Sequence, residues 1–217
     1  MHHVSVPGRL RIVAWITLYN SSMALAIRPA VPADVATILA FIRKLAAYER
    51  EPDAVSATED DLLRHGFGPH PYFECLIAED DATPVGFALY FFDYSTWLGQ
   101  PGLYLEDVFV DPPFRGRGFG KALLQELASI AQARGCARMK WEVLDWNTPA
   151  IDFYRSLGAE LQPEWLNVRV GADAIRRLAA SDTPTRVGAP PLDAASLRPS
   201  VGIANDQSTL AATEPAL

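Results

Sequence analysis

The 217 residues are 49% hydrophobic, 10% aromatic and 21% charged, which excludes global disorder and suits one domain with ragged ends better than two. A formal charge of −7 argues against nucleic acid as the main partner and agrees with a cationic ligand. Two distant cysteines, Cys75 and Cys136, and four histidines without metal-ligand spacing argue against a disulfide scaffold or a metal site, and for reduced thiols in a cytoplasmic protein.

At the N-terminus, Arg9 and Arg11 precede an apolar run at 12–19, and Ala24-Leu25-Ala26 imitates a cleavage site. The run is too short to cross a bilayer, so no membrane association is expected. Met23 stands just before the first strand candidate, 24–29, so residues 1–22 are read as an extension upstream of the true start. A helix opens at Ala33 or Asp34 with apolar positions Ile38, Phe41, Ile42, Leu45 and Tyr48 at helical spacing. Thr58-Glu59-Asp60-Asp61 resembles a capping turn for a second, short helix. Segments 73–79 and 85–92 form a hairpin about a turn at 80–83, and 103–110 is a further strand that Asp111-Pro112-Pro113 ends. A glycine-rich loop leads into a helix over 118–134, with Leu123, Leu124, Leu127 and Ile130 on its apolar face and Gly135 as its stop. A strand at 138–144 follows. Thr148 then caps a helix with Pro149 at its first position, which carries Phe153 and Tyr154 and stops at Gly158. A last strand is expected within 160–170, and 181–217 has the composition of a disordered tail. The sum is a mixed α/β domain at 23–180, a central sheet covered by helices.

The chemistry-bearing segment is 103–121. There a strand runs into Gly116, Gly118 and Gly120 at alternate positions, and the loop opens a helix. Glycines let the backbone turn tightly and aim its N–H groups at one point, and the helix N-terminus adds unpaired donors, so the segment suits a diphosphate. Arg115, Arg117 and Lys121 add positive charge. A nucleotide-hydrolysing P-loop fails, because Arg115 stands where its first glycine belongs and Ala122 where its hydroxyl belongs. The dinucleotide fingerprint fails on spacing.

What remains, Arg-x-x-Gly-x-Gly at 115–120, resembles the pyrophosphate loop of the GNAT acetyltransferases. The likeness extends to Ile27-Arg28-Pro29-Ala30, Ala47-Tyr48-Glu49, Gly66-Phe67-Gly68, Tyr94-Ser95-Thr96-Trp97, Leu105-Glu106-Asp107, Leu144-Asp145-Trp146-Asn147 and Phe153-Tyr154. These resemble the diamine (spermidine/spermine) N-acetyltransferases, closest to their thialysine N-epsilon-acetyltransferase branch. The resemblance implies the GNAT fold, with a mostly antiparallel sheet flanked by helices, acetyl-CoA as co-substrate, a small-molecule amine as acceptor and a homodimer.

It also implies roles. The pantetheine arm would lie along the backbone of Val108-Phe109-Val110, and the pyrophosphate on the amides around Gly116, Arg117, Gly118, Phe119, Gly120 and Lys121, with Arg115 and Asn147 as further coenzyme contacts. Tyr154 would be the general acid towards the departing thiolate, and Glu106 would take the amine's proton and attract the ammonium. Tyr48, Glu49 and Glu142 map onto acceptor contacts. Strand alternation groups Leu103, Leu105, Asp107 and Phe109 on one face and Glu106 on the other. Where polyamine-acetylating members carry Tyr-Asp-Pro-Trp, this chain has Ser95 in place of the aspartate, which favours a lysine-like amine whose α-carboxylate would meet a hydroxyl. Asp93 faces the same side as Ser95 and is a candidate replacement for the lost acid. Two other readings stay open: a different acceptor amine (amino acid, aminoglycoside or protein), or a catalytically silent acetyl-CoA-binding module.

Overall fold

The computed structural model describes residues 25–180; the expected extension at 1–22 and the tail at 181–217 lie outside the described residues. Strand β1 (Leu25–Pro29) is followed by a 3-10 turn and helix α1 (Val35–Tyr48), then helix α2 (Glu59–Phe67). Strands β2 (Glu74–Asp80), β3 (Thr83–Ser95) and β4 (Gln100–Val110) form a meander. Helix α3 (Phe119–Ala133), strand β5 (Arg138–Lys140) and helices α4 (Thr148–Ser156) and α5 (Ala172–Ala180) complete the domain.

The five strands lie in chain order in one sheet, antiparallel except for the parallel β4–β5 pair that α3 connects. The pleat sends alternate side chains to two cores. Cys75, Ile77, Phe87, Leu89 and Phe109 meet Val35, Ile38, Leu39 and Phe41 of α1, and Phe41 stacks on Phe87 at 5.8 Å. On the other face, Leu76, Ala78, Ala88, Tyr90, Leu103 and Leu105 pack against Leu123, Leu124 and Leu127 of α3. Local signals behave as their chemistry dictates. Thr58 Oγ1 accepts from the Asp61 N–H at 3.2 Å while Asp61 Oδ2 accepts from the Thr58 N–H at 3.1 Å, the reciprocal cap of α2. The β2–β3 hairpin turns through Asp81 and Ala82, both left-handed at φ 48° and 62°, a twist that matches the strands it joins.

Three expectations are corrected. The strand expected at 138–144 pairs only over Arg138–Lys140, opposite Gly102, Leu103 and Tyr104, because beyond Tyr104 the two chains diverge. No strand forms at 160–170; apolar side chains there, including Leu166 and Val168, stay exposed and the chain continues into α5. Asn147, rather than Thr148, occupies the position before α4, with Thr148 as its first helical residue.

The β4 alternation is also corrected. Tyr90 pairs with Leu105 and Leu89 with Asp107, so Glu106 is an extra residue, a β-bulge. The insertion reverses the pleat. Leu105 faces the α3 core, whereas Phe109 faces the α1 core and Val108 and Val110 take the α3 side.

Candidate active site

Divergence of β4 from the chain after β5 opens a cavity of about 610 Å³, walled by β4, the glycine loop, the start of α3, the end of α1 and α4. Every site residue expected from the sequence lines it except Arg117. Arg117 is paired instead with Asp80 at 2.8 Å, its guanidinium 5.4 Å from the ring centres of Phe114 and Phe119.

Gly116 and Gly118 have φ of 75° and 92°, the left-handed region that favours glycine, and an added Cβ at either would meet nothing within 4 Å. The turn therefore needs glycine for its backbone conformation and leaves open space in front of the first turn of α3. Phe119 is buried, so its backbone rather than its ring faces that space. Arg115 turns towards the end of α1: its Nε donates to the Val110 carbonyl at 2.9 Å and its guanidinium lies 4.7 Å from the Tyr48 ring centre. Lys121 makes no ion pair among the described residues and is the loop cation left for an anion. Beyond Tyr104, the β4 edge facing the cavity has no strand neighbour, so its backbone groups are available to a ligand.

Two titratable groups line this space from different elements. Tyr154, on α4, is buried with its ring edge-on to Trp141 at 5.2 Å. Burial, with smaller contributions from Glu49 and Tyr48, raises its phenol above the ordinary value of 10, so it stays protonated at neutral pH. Glu106, at the bulge, is raised by desolvation and then by the charge of Glu142. Desolvation likewise raises Glu49.

Tyr48 Oη donates to Asn147 Oδ1 at 3.0 Å, joining the end of α1 to the start of α4 across the cavity. Glu142 is held twice, by the Tyr104 hydroxyl at 3.1 Å and by Asn167 Nδ2 at 2.6 Å. Burial and the Glu142 contact push the Tyr104 phenol up to about 12. Neither Ser95 nor Asp93, the candidate replacement for the lost acid, lines the cavity. Ser95 is buried and its Oγ accepts from the Leu98 N–H at 3.3 Å, closing the β3–β4 turn. Asp93 Oδ2 is taken by Lys140 at 2.6 Å and Arg138 at 3.1 Å.

Sequence reasoning missed Asp107, Tyr104 and Asn167. Asp107 lines the cavity, and burial, then Glu106 and Glu49, raise it to about 6. Its placement depends on the bulge, which leaves no mark in the spacing of apolar residues. Tyr104 follows from the β4–β5 register, and Asn167 from a long-range approach that no local pattern encodes.

A meander closed by a parallel strand and split beside a glycine-turned helix N-terminus makes this an α/β protein with a cleft suited to an anionic ligand. The chain belongs to the Acetyltransferase (GNAT) family, whose pattern matches residues 39–159, and it is an N-acetyltransferase. The thialysine N-epsilon-acetyltransferase of Sus scrofa is 42% identical over 164 residues, 70% of this chain and 96% of that protein. The L-ornithine N5-acetyltransferase of Arabidopsis thaliana is 40% identical over 99 residues, 46% of this chain and 43% of that protein. Among solved structures, an integron cassette protein from the mobile metagenome of V. cholerae superposes with a TM-score of 0.63 at 27% identity, covering 74% of this chain and all of its own.

Proposed function

We propose that the protein transfers acetyl from acetyl-CoA to a primary amine of a small metabolite, a diamine or a thialysine-like amino acid. The observation that carries this reading is that the raised carboxyl of Glu106 and the buried, protonated phenol of Tyr154 line a single cavity beside a glycine-turned helix N-terminus. Acetyl-CoA supplies the activated acyl group. Its fit rests on the open space over Gly116 and Gly118, the charge of Lys121, and the unpaired β4 edge at Val108-Phe109-Val110.

Each side chain then has a physical task. Glu106 attracts the ammonium and, held above the ordinary carboxylate range, is a better proton acceptor than a solvated acid. Glu49, Asp107 and Glu142 surround it with negative charge that suits a ligand carrying more than one cationic group. Tyr154, protonated and lining the same cavity from α4, is suited to give a proton to the departing thiolate. A backbone N–H of the free β4 edge is suited to receive the developing oxyanion. Asn147 touches Tyr48 in this structure and stands where a coenzyme could displace that bond.

The reading includes a homodimer in the cytoplasm, with no metal, nucleic acid or membrane required. The dimer draws support from Trp165, Leu166 and Val168, which are 66%, 85% and 87% exposed, and from α5, which buries no residue. No helix among the described residues is long and apolar enough to cross a membrane.

The test is thiol release from acetyl-CoA by the full chain against spermidine, putrescine, thialysine, lysine and an N-terminal peptide. Saturable turnover of a small amine is the expected result. Coenzyme binding without turnover of any acceptor in the panel would refute the assignment.

A further inference from the structure

The bulge face of β4 and β5 carries a second charged cluster just outside the cavity. Lys140 Nζ lies 2.6 Å from Asp93 Oδ2 and 5.2 Å from the centre of the Tyr104 ring, and Arg138 Nη2 reaches the same oxygen at 3.1 Å. Two cations therefore share one carboxylate, and the cluster keeps one unit of net positive charge. An ammonium has three donors and a guanidinium five, so neither cation is saturated by Asp93. Buried Arg138 Nε makes no hydrogen bond, nor does buried Asp93 Oδ1. A glycine at 102 is what admits this arrangement, since a Cβ there would stand 2.3 Å from Asp93 Oδ1.

Tyr104 links the cluster to the active site. Its ring carries Lys140, its hydroxyl donates to Glu142, and Glu142 lines the cavity close enough to raise Glu106. From the cavity outwards the order is Glu106, Glu142, then Lys140: acid, acid, cation. Phe91 stacks on Tyr104 at 4.9 Å and provides an apolar floor beneath.

We propose that Lys140, held by Asp93 beside Arg138, reads the α-carboxylate of an amino-acid acceptor whose side-chain amine sits at Glu106 and whose α-ammonium sits at Glu142. The assignment rests on the acetyl-transfer reading above and narrows it from diamines or amino acids to amino acids. A plain diamine carries nothing for Lys140 to bind and meets an uncompensated positive charge there. This chain thus supplies at Lys140 what Ser95, buried in a turn, does not.

The test uses two acceptor pairs that differ only by the carboxylate: lysine with cadaverine, and ornithine with putrescine. With the full chain at saturating acetyl-CoA, wild type should favour the amino acid of each pair. Lys140→Met should lower the ratio of amino-acid to diamine kcat/KM by about tenfold, mainly through KM, as expected for loss of one charge-assisted contact. Lys140→Arg should restore most of it. Lysine amide should behave towards wild type as cadaverine does, a comparison that involves no variant. An equal fall for both members of a pair, or a wild type indifferent to the carboxylate, overturns the role of Lys140 while leaving acetyl transfer intact. Absence of turnover with all four amines overturns the acetyl-transfer reading for these acceptors, and this inference with it.

Discussion

Replacing Tyr154 with phenylalanine separates proton donation from packing. The ring keeps its edge contact with Trp141 and its neighbour Phe153, so the fold should be unaffected. What disappears is one buried O–H, which burial holds protonated above its ordinary value of 10. General acid catalysis is worth about 10²–10⁴-fold, and a phenol raised in this way is a weaker acid, so the lower end applies. The expected loss is about 100-fold in the acetyl-transfer step, or about 2.7 kcal/mol of transition-state stabilisation. Acetyl-CoA affinity should change little, because the β4 edge and the glycine loop are untouched. The assay is a single-turnover quench at saturating substrates with chemistry shown to be rate-limiting. Wild type should also keep its activity up to about pH 10, since the raised phenol loses its proton only above that. A variant within about twofold of wild type would remove Tyr154 from the acid role.

Further tests follow from the same site. Glu106 must be ionised to accept a proton, and its raised pKa places the acid limb of the rate profile above that of an ordinary carboxylate; Glu142→Gln removes one cause and should move that limb to lower pH, and an unmoved limb would refute the coupling. Gly118→Val puts a β-branched residue at φ 92°, which costs about 1–2 kcal/mol and should twist the loop amides, weakening acetyl-CoA at least about tenfold by titration; a folded variant of normal affinity would contradict the loop's role. The hairpin turn holds Ala82 at φ 62°, so Ala82→Gly should stabilise by about 0.5–1 kcal/mol and raise Tm by about 1–4 °C, whereas a lower Tm would mean that the turn is unstrained.

The local grammar of the chain was enough to locate most elements and the loop beside the cavity. Alternating glycines before a helix mark a left-handed turn at its N-terminus because only backbone geometry is involved, and Thr58 with Asp61 forms a cap whose partners are three residues apart. The resemblance carried Tyr48, Glu49, Glu106, Glu142, Asn147 and Tyr154, and the fold brings all six to one cavity.

Other features depended on contacts between distant segments. The bulge at Glu106 arises from pairing with β3, and it decides that Asp107 enters the acid cluster and that Phe109 changes face. The divergence of β4 and β5 after Tyr104, which creates the cavity, depends on where strand pairing stops rather than on strand propensity. Asp93, Ser95 and Arg117 looked available in sequence because charge and hydroxyl chemistry can be read there. Their partners, Lys140 with Arg138, the Leu98 amide, and Asp80, exist only once the sheet has formed. Sequence thus determined which groups the chain owns and where its turns fall. Tertiary structure decided which of those groups are already engaged and which still face a ligand, because ion pairs and burial are properties of neighbours in space.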